Sequence, residues 1–263
     1  MTAAAASSRS RKPAGSRSAV SAVLGVDIGG SGIKGAPVDL NTGELLGDRV
    51  RIPTPSPPTP KAVLEVVRQV VDSFDTAGPI GVTFPGVVTA GVTRTAANMD
   101  KGWLNLNADE FLEQGIGRPF NVINDAQAAV MAEVRYGAGQ GEEGMVLMLT
   151  FGTGIGSGLA YRGVSMPGVE FGHMLVDGKD GEWEASANAK DRNDWSWKQW
   201  AKRVNHYLDH VESMLWPDLI IVGGGVSEKS EKFLPLLTTR TRLVPAQLTN
   251  EAGIVGAAIV ANP

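Results

Sequence analysis

Three glycine clusters and a few acidic positions are where this chain could do chemistry. Asp27 opens the stretch Asp27-Ile-Gly-Gly-Ser-Gly-Ile-Lys-Gly35, Thr150 opens Thr150-Phe-Gly-Thr-Gly-Ile-Gly-Ser-Gly158, and Gly223-Gly224-Gly225 comes later. Glycines directly after a buried strand let backbone N–H groups approach a phosphate with no side chain in the way. One such cluster reads as a tight hairpin and nothing more. Three, two of them interleaved with Thr or Ser, point to phosphate or nucleotide binding. None fits the P-loop pattern G-x-x-x-x-G-K-[ST], and none is read as the G-x-G-x-x-G fingerprint of a dinucleotide-binding dehydrogenase.

The charged residues beside these clusters have definite possible roles. Asp27, at a strand end, suits a carboxylate that holds the hydration shell of Mg²⁺. Lys34, in the same loop, could neutralise phosphate charge; the plain alternative is a turn Asp and an exposed Lys. Asp125 ends one strand and opens a helix, whose N-terminus favours the ionised carboxylate. Such a group can accept a hydroxyl proton as the oxygen attacks phosphorus, although alone it reads as a helix-capping Asp. Glu170-Phe-Gly-His173 offers two metal ligands with no Cys to complete a set, and the pair suits sugar hydroxyls better. His206 and His210, four apart on a helix, read as solvent-face residues.

The elements that must position these groups alternate strand and helix, the mark of an α/β architecture. Strands are expected at Val23–Ile28, Ile33–Leu40, Leu45–Ile52, Pro79–Phe84, Phe120–Ile123, Met145–Phe151 and Leu219–Val222. Thr59 caps a helix with Pro60 in its first turn, after a loop of five prolines over residues 53–60. A second helix runs from Asp125 towards Tyr136 and stops at Gly137. Ser196-x-x-Gln199 is a capping box for a third, whose apolar stripe includes Trp200, Val204, Leu208 and Val211. The first two glycine clusters can be laid on each other, each between two strands, so two related halves with a cleft between them are expected.

Composition excludes several classes. The 263 residues, 43% hydrophobic and 20% charged, can bury a sizeable core. Apolar runs such as Met145 to Leu149 fall far short of the ~18 residues of a membrane span. Zero cysteines exclude disulfides, Cys-ligated zinc and a Cys nucleophile. The net charge is −4, yet residues 1–20 hold Arg9, Arg11, Lys12 and Arg17 without an acid, which leaves −8 for the rest. That basic tail reads as disordered. The apolar run Ala19–Val26 leads straight into Asp27 with no cleavage site, so it is taken as a strand and the protein as cytoplasmic. No basic stripe accompanies the six tryptophans, so they read as core residues and no nucleic-acid partner is expected.

Taken together, Asp27-Ile-Gly-Gly-Ser-Gly-Ile-Lys34, Asn124-Asp125-Ala126, Leu149 to Gly158, Glu170-Phe-Gly-His173 and Ile221-Val-Gly-Gly-Gly-Val-Ser227 resemble the ROK family of sugar kinases. The likeness covers about residues 22–260 and is strongest to the polyphosphate glucokinase branch. It implies an actin-like (ribonuclease H-like) ATPase fold of two α/β domains around a cleft. The smaller would be residues 21–123 plus a C-terminal helix at about 250–263, and the larger residues 124–249. It implies Mg²⁺-dependent phosphoryl transfer from polyphosphate, ATP or both to the 6-hydroxyl of glucose, and of mannose. By the resemblance, Asp125 is the general base, Gly86, Asn98, Glu170 and His173 hold the sugar, and Asp27, Gly29, Gly30, Ser31 and Lys34 face the donor phosphates and Mg²⁺. Thr150, Gly152, Thr153 and Gly154 would form a second phosphate loop, with Gly224 and Gly225 near adenosine.

Most ROK members carry a Cys-rich zinc segment after Glu-x-Gly-His; this chain has no Cys, so no zinc is expected and His173 must be held by packing and hydrogen bonds. That segment also supplies a further sugar-binding Glu, for which Glu182 and Glu184 both qualify. Alternatives are an ATP-only ROK hexokinase or fructokinase and, remotely, a non-enzymatic ROK sugar sensor. The sensor would need a DNA-binding domain ahead of Asp27, where only 26 residues stand. A homodimer stays open.

Overall fold

A computed structural model describes residues 22–261, so the basic tail expected at 1–20 lies outside the described residues. The first half of the chain builds β1 (Ala22–Ile28), β2 (Ile33–Asp39), β3 (Val50–Ile52), α1 (Pro60–Asp72), β4 (Ile80–Phe84), the short pair β5 (Val88–Thr89) and β6 (Val92–Thr93), α2 (Ala108–Ile116), β7 (Phe120–Asn124) and α3 (Asp125–Tyr136). The second builds β8 (Met145–Phe151), β9 (Ile155–Tyr161), β10 (Val164–Met166), the hairpin β11 (Leu175–Val176) and β12 (Lys179–Asp180), α4 (Gly181–Ala185), α5 (Ala187–Arg192), α6 (Trp197–Met214), β13 (Leu219–Gly223), β14 (Arg242–Pro245) and α7 (Ala252–Ala261).

The two halves share one topology. The first sheet has the order β3-β2-β1-β4-β7 and the second β10-β9-β8-β13-β14, and in each the first three strands are antiparallel and the last two parallel. Asp27 and Thr150 are both the sixth residue of the leading strand, so the two glycine clusters turn equivalent hairpins. Gly30 to Gly35 does have the literal spacing G-x-G-x-x-G, contrary to the sequence reading. The strand β2 follows it rather than a helix, so the dinucleotide-binding context is missing.

The helix that closes each half crosses to the other sheet. α3 packs on β8 and β9, α7 packs on β1 and β4, and the two helices lie against each other between the sheets. Glycine makes these approaches possible. A Cβ at Gly25 or Gly81 would run into the α7 carbonyls of Ile254 or Ala257, and one at Gly256 would strike the Ala128 carbonyl. Val26, Ile28, Val82 and Phe84 form a second core with α1 and α2, while Leu147, Leu149, Ile220 and Val222 form a third with α6.

The expected caps are present. Thr59 Oγ1 accepts from the Ala62 amide, and both halves of the Ser196/Gln199 capping box are made. The strand expected at Leu45–Ile52 shrinks to Val50–Ile52, because Leu45 makes only an isolated bridge to Val38 and Gly47 turns at positive φ. Trp103 and Trp200 are fully buried, whereas Trp183 and Trp216 are exposed under Arg192 and Arg240 guanidinium groups. Among the described residues no helix is long and apolar enough to cross a membrane.

Candidate active site

The cleft between the sheets starts from the ends of their leading strands. A cavity of about 690 Å³ is lined by Gly29, Gly30 and Ser31 from the first glycine turn and by Thr150, Gly152, Thr153 and Gly154 from the second. Gly86, Asn98, Asp125, Glu170, His173 and Gly224 line it as well. Asp27, Lys34 and Gly225 border an adjoining space of about 180 Å³ that shares Asp125, Thr150 and Gly224 with the first. Apart from Glu184, every residue expected to bind sugar, phosphate or Mg²⁺ therefore faces one of two adjoining spaces. Gly30, Gly152 and Gly225 have nothing within 4 Å of where a Cβ would stand, and none has a positive φ. Neither packing nor backbone conformation requires glycine there; the space left over is open to a ligand.

Asp125 is not the helix cap. Asn124 caps α3, its Oδ1 accepting from the Gln127 amide at 2.9 Å while its Nδ2 donates to the Gly86 carbonyl at 3.0 Å. That second bond ties the Pro85–Gly86 turn to the start of α3. Asp125 is thus the first helical residue, with one oxygen accepting from the Ala126 amide at 2.8 Å and its carboxyl open to the cleft. The surrounding protein, with the like charges of Asp27 and Glu170, pushes its pKa up to about 6. Cleft water offsets part of the desolvation, while the repulsion from two neighbouring carboxylates remains.

Asp27 is held from two sides. Thr83 Oγ1 donates to its Oδ1 at 2.6 Å, and Lys34 Nζ lies 3.4 Å from Oδ2. Both partners come from pairing: Asp27 stands beside Thr83 on β4 and opposite Lys34 on β2. Lys34 in turn stands opposite Arg51 on β3, whose Nη2 donates to the Ser31 carbonyl at 3.1 Å. Thr54 Oγ1 donates to the Gly29 carbonyl at 2.6 Å. No local pattern marks Thr83 and Arg51, which arrive by strand pairing, or Thr54, which follows β3 in the chain.

The Glu170–His173 turn is fixed by the second sheet. Ser157 Oγ donates to the Val169 carbonyl and accepts from the Phe171 amide, and Gly172 lies so close to the Ile155 carbonyl that no Cβ would fit. Burial raises the Glu170 carboxyl above its usual value, against the pull of His173. His173 Nδ1 lies 2.9 Å from Asp180 Oδ2, and that bond raises the imidazole pKa. Asp180, on the β12 strand, also went unnoticed in the sequence. Of the two glutamates left open, Glu182 lines the cleft and accepts from the Ile155 amide at 2.9 Å. Glu184 pairs with Lys179 and Arg203 away from it.

The ROK family profile matches residues 23–191. The chain belongs to the ROK family. This ROK protein is 52% identical over 237 residues to the polyphosphate glucokinase of Mycobacterium tuberculosis (strain CDC 1551 / Oshkosh), covering 90% of this chain and 89% of that one. It superposes with a TM-score of 0.86 on the crystal structure of inorganic polyphosphate/ATP-glucomannokinase from Arthrobacter sp. strain KM, at 50% identity, over 90% of this chain and 97% of that one. A ROK glucokinase from Streptomyces griseus, solved with glucose and AMPPNP, aligns at TM-score 0.77 and 26% identity, over 91% and 99% of the two chains. The actin-like fold expected of a ROK sugar kinase is therefore the fold of this protein.

Proposed function

We propose that the protein transfers the terminal phosphoryl group of inorganic polyphosphate or ATP to the 6-hydroxyl of glucose, and of mannose, with Asp125 as the general base and Mg²⁺ as the cation. The observation that carries this reading is the position of Asp125. It stands where the cavity lined by Asn98, Glu170 and His173 meets the space bordered by Asp27 and Lys34. The names of the relatives, polyphosphate glucokinase and polyphosphate/ATP-glucomannokinase, support donor and acceptor alike.

The two glycine turns would receive the donor phosphates, with Lys34 and Arg51 supplying positive charge beside the first. Glu170, His173, Asn98 and Glu182 would take the sugar hydroxyls and aim the 6-hydroxyl at Asp125. As that oxygen bonds to phosphorus, its proton passes to Asp125, and the bridging P–O bond breaks with its electrons leaving on the shortened polyphosphate or ADP. Most of the acceleration would come from alignment and charge neutralisation. A carboxyl with a pKa near 6 is ionised at neutral pH yet more basic than an ordinary aspartate, as this role needs.

The residues present fit Mg²⁺. Asp27 and Asp125 border one small space and repel each other, so a hydrated dication between them relieves that repulsion. Asp27 would hold it through water, and the bound ion would neutralise charge on the donor phosphates. The reading carries a cytoplasmic location, with no nucleic-acid or membrane partner.

The test is glucose 6-phosphate formation by the purified protein with polyphosphate or ATP at matched Mg²⁺. Product from polyphosphate upholds the full reading. Product from ATP alone leaves a ROK hexokinase and removes the polymer donor. No product from either overturns the assignment.

A further inference from the structure

Away from the cleft, α6 carries His206 and His210 one turn apart, and the tight turn between β11 and β12 brings Asp177 against both. His206 Nε2 lies 2.7 Å from Asp177 Oδ2, and His210 Nε2 lies 4.0 Å from Oδ1. His210 donates its Nδ1–H to the His206 carbonyl at 2.9 Å. In the neutral ring this bond fixes the tautomer, leaving the Nε2 lone pair facing the carboxylate. A lone pair against a carboxylate oxygen is unfavourable, and a cation placed between them makes the contact attractive. The rings meet edge to face with centroids 4.8 Å apart, and one ligand atom from each of the three residues lies within 4.8 Å of the others.

We propose that Asp177, His206 and His210 form a binding site for a first-row transition-metal dication of the zinc type. Two imidazoles spaced i, i+4 on a helix with one carboxylate make a three-ligand set that leaves a fourth position for water. Nitrogen donors select this class over Mg²⁺, which prefers an all-oxygen shell. The backbone bond on the far nitrogen of His210 is the orienting partner that metal-bound histidines commonly have. The absence of cysteine rules out a thiolate site and says nothing against this one. All three side chains are partly or well exposed, so an ion can enter from solvent.

A metal here would pin the β11–β12 hairpin to α6. The hairpin ends in Asp180, the residue that holds His173. The site shares no residue with the cleft, so its existence does not depend on the proposed phosphoryl transfer.

Cobalt(II) is the probe, added to the untagged full chain after treatment with a chelator. The expected result is uptake of a single equivalent, with the visible absorption of a four-coordinate cobalt–imidazole site, displaced by Zn²⁺. His206→Ala, His210→Ala and Asp177→Asn should each weaken binding by at least about tenfold, the smaller end of what loss of even an outer partner does to metal sites. Far-UV circular dichroism checks that these surface variants fold. His173→Ala should bind cobalt as the parent does, because His173, Asp180 and Glu182 form a separate possible cluster in the cleft. No uptake would overturn the proposal and leave a plain His206–Asp177 hydrogen bond. Uptake indifferent to His206 and His210, or lost with His173, would overturn it in favour of the cleft.

Discussion

Asp27 and Asp125 bring two carboxylates to one space of about 180 Å³ from strand ends that are not neighbours, since β4 lies between β1 and β7. The charge on Asp27 is the second cause, after desolvation by the surrounding protein, of the raised Asp125 pKa. In the proposed reaction the donor side of the cleft would thereby tune the base on the acceptor side.

This coupling has a pH signature. As pH falls through about 6, Asp125 gains a proton and can no longer accept one, so kcat/KM for glucose should fall along an acid limb centred there. Asp27→Asn removes a like charge, and the limb should move to lower pH in whatever activity remains. A limb that stays in place would show that the Asp27 charge does not act on Asp125.

Asp125→Asn should separate function from stability. Turnover should drop by at least ~10²-fold, the ordinary contribution of a general base. The folded-state pKa of about 6 lies above the ordinary 3.8, so between those values the folded protein binds more protons than the unfolded chain. Stability from this group is present below that window and lost as pH rises through it. At neutral pH the ionised carboxylate is therefore a burden, and the Asn variant should melt at the same or a higher temperature than the parent. A clearly lower Tm would contradict the sign.

Asp180→Asn tests how His173 is held. The Nδ1 bond to Asp180 sets the ring orientation, and its loss should raise KM for glucose by roughly tenfold, the scale of one charge-assisted hydrogen bond, with a smaller change in kcat. Glu182→Gln should also raise KM, whereas Glu184→Gln should not, because only Glu182 lines the cleft. Equal effects from the two glutamates would remove this distinction.

The glycines divide into two kinds that stability and kinetics can tell apart. Gly81→Ala drives a methyl into the Ala257 carbonyl and should cost about 1–3 kcal/mol or more in urea unfolding. Gly152→Ala meets open space and should leave stability within about 0.5 kcal/mol while raising KM for the phosphoryl donor. A Gly152→Ala protein with unchanged donor KM would show that this turn does not receive phosphate.

Much of the scaffold was legible because its signals are local. The Thr59 and Ser196 caps each join residues three apart, and the strand–glycine–strand pattern at Asp27 and Thr150 marks two hairpins in a single pass. The helix Ala108–Ile116 was missed although its Asn107 cap, acidic first turn, apolar stripe of Ala108, Phe111, Leu112 and Ile116, and Gly117 stop are also local. The start of α3 at Asp125 was legible, while the plain alternative of Asp125 as its cap gives way to Asn124, since both types serve as caps and only the backbone angles distinguish them.

By itself the sequence determined the order of the main strands and helices, the two glycine turns and the groups able to do phosphate and sugar chemistry. Each of these is written in residue type and spacing over a few positions. Tertiary structure alone decided which distant residues complete the site. Thr83 reaches Asp27 across 56 positions through parallel pairing of β1 and β4, and Arg51 meets the first glycine turn across the sheet from Lys34. It also decided that α3 and α7 each cross to the opposite sheet, and that His206, His210 and Asp177 converge. Such contacts depend on strand register and on how closely helices can approach through glycine, which is settled only when the whole core packs.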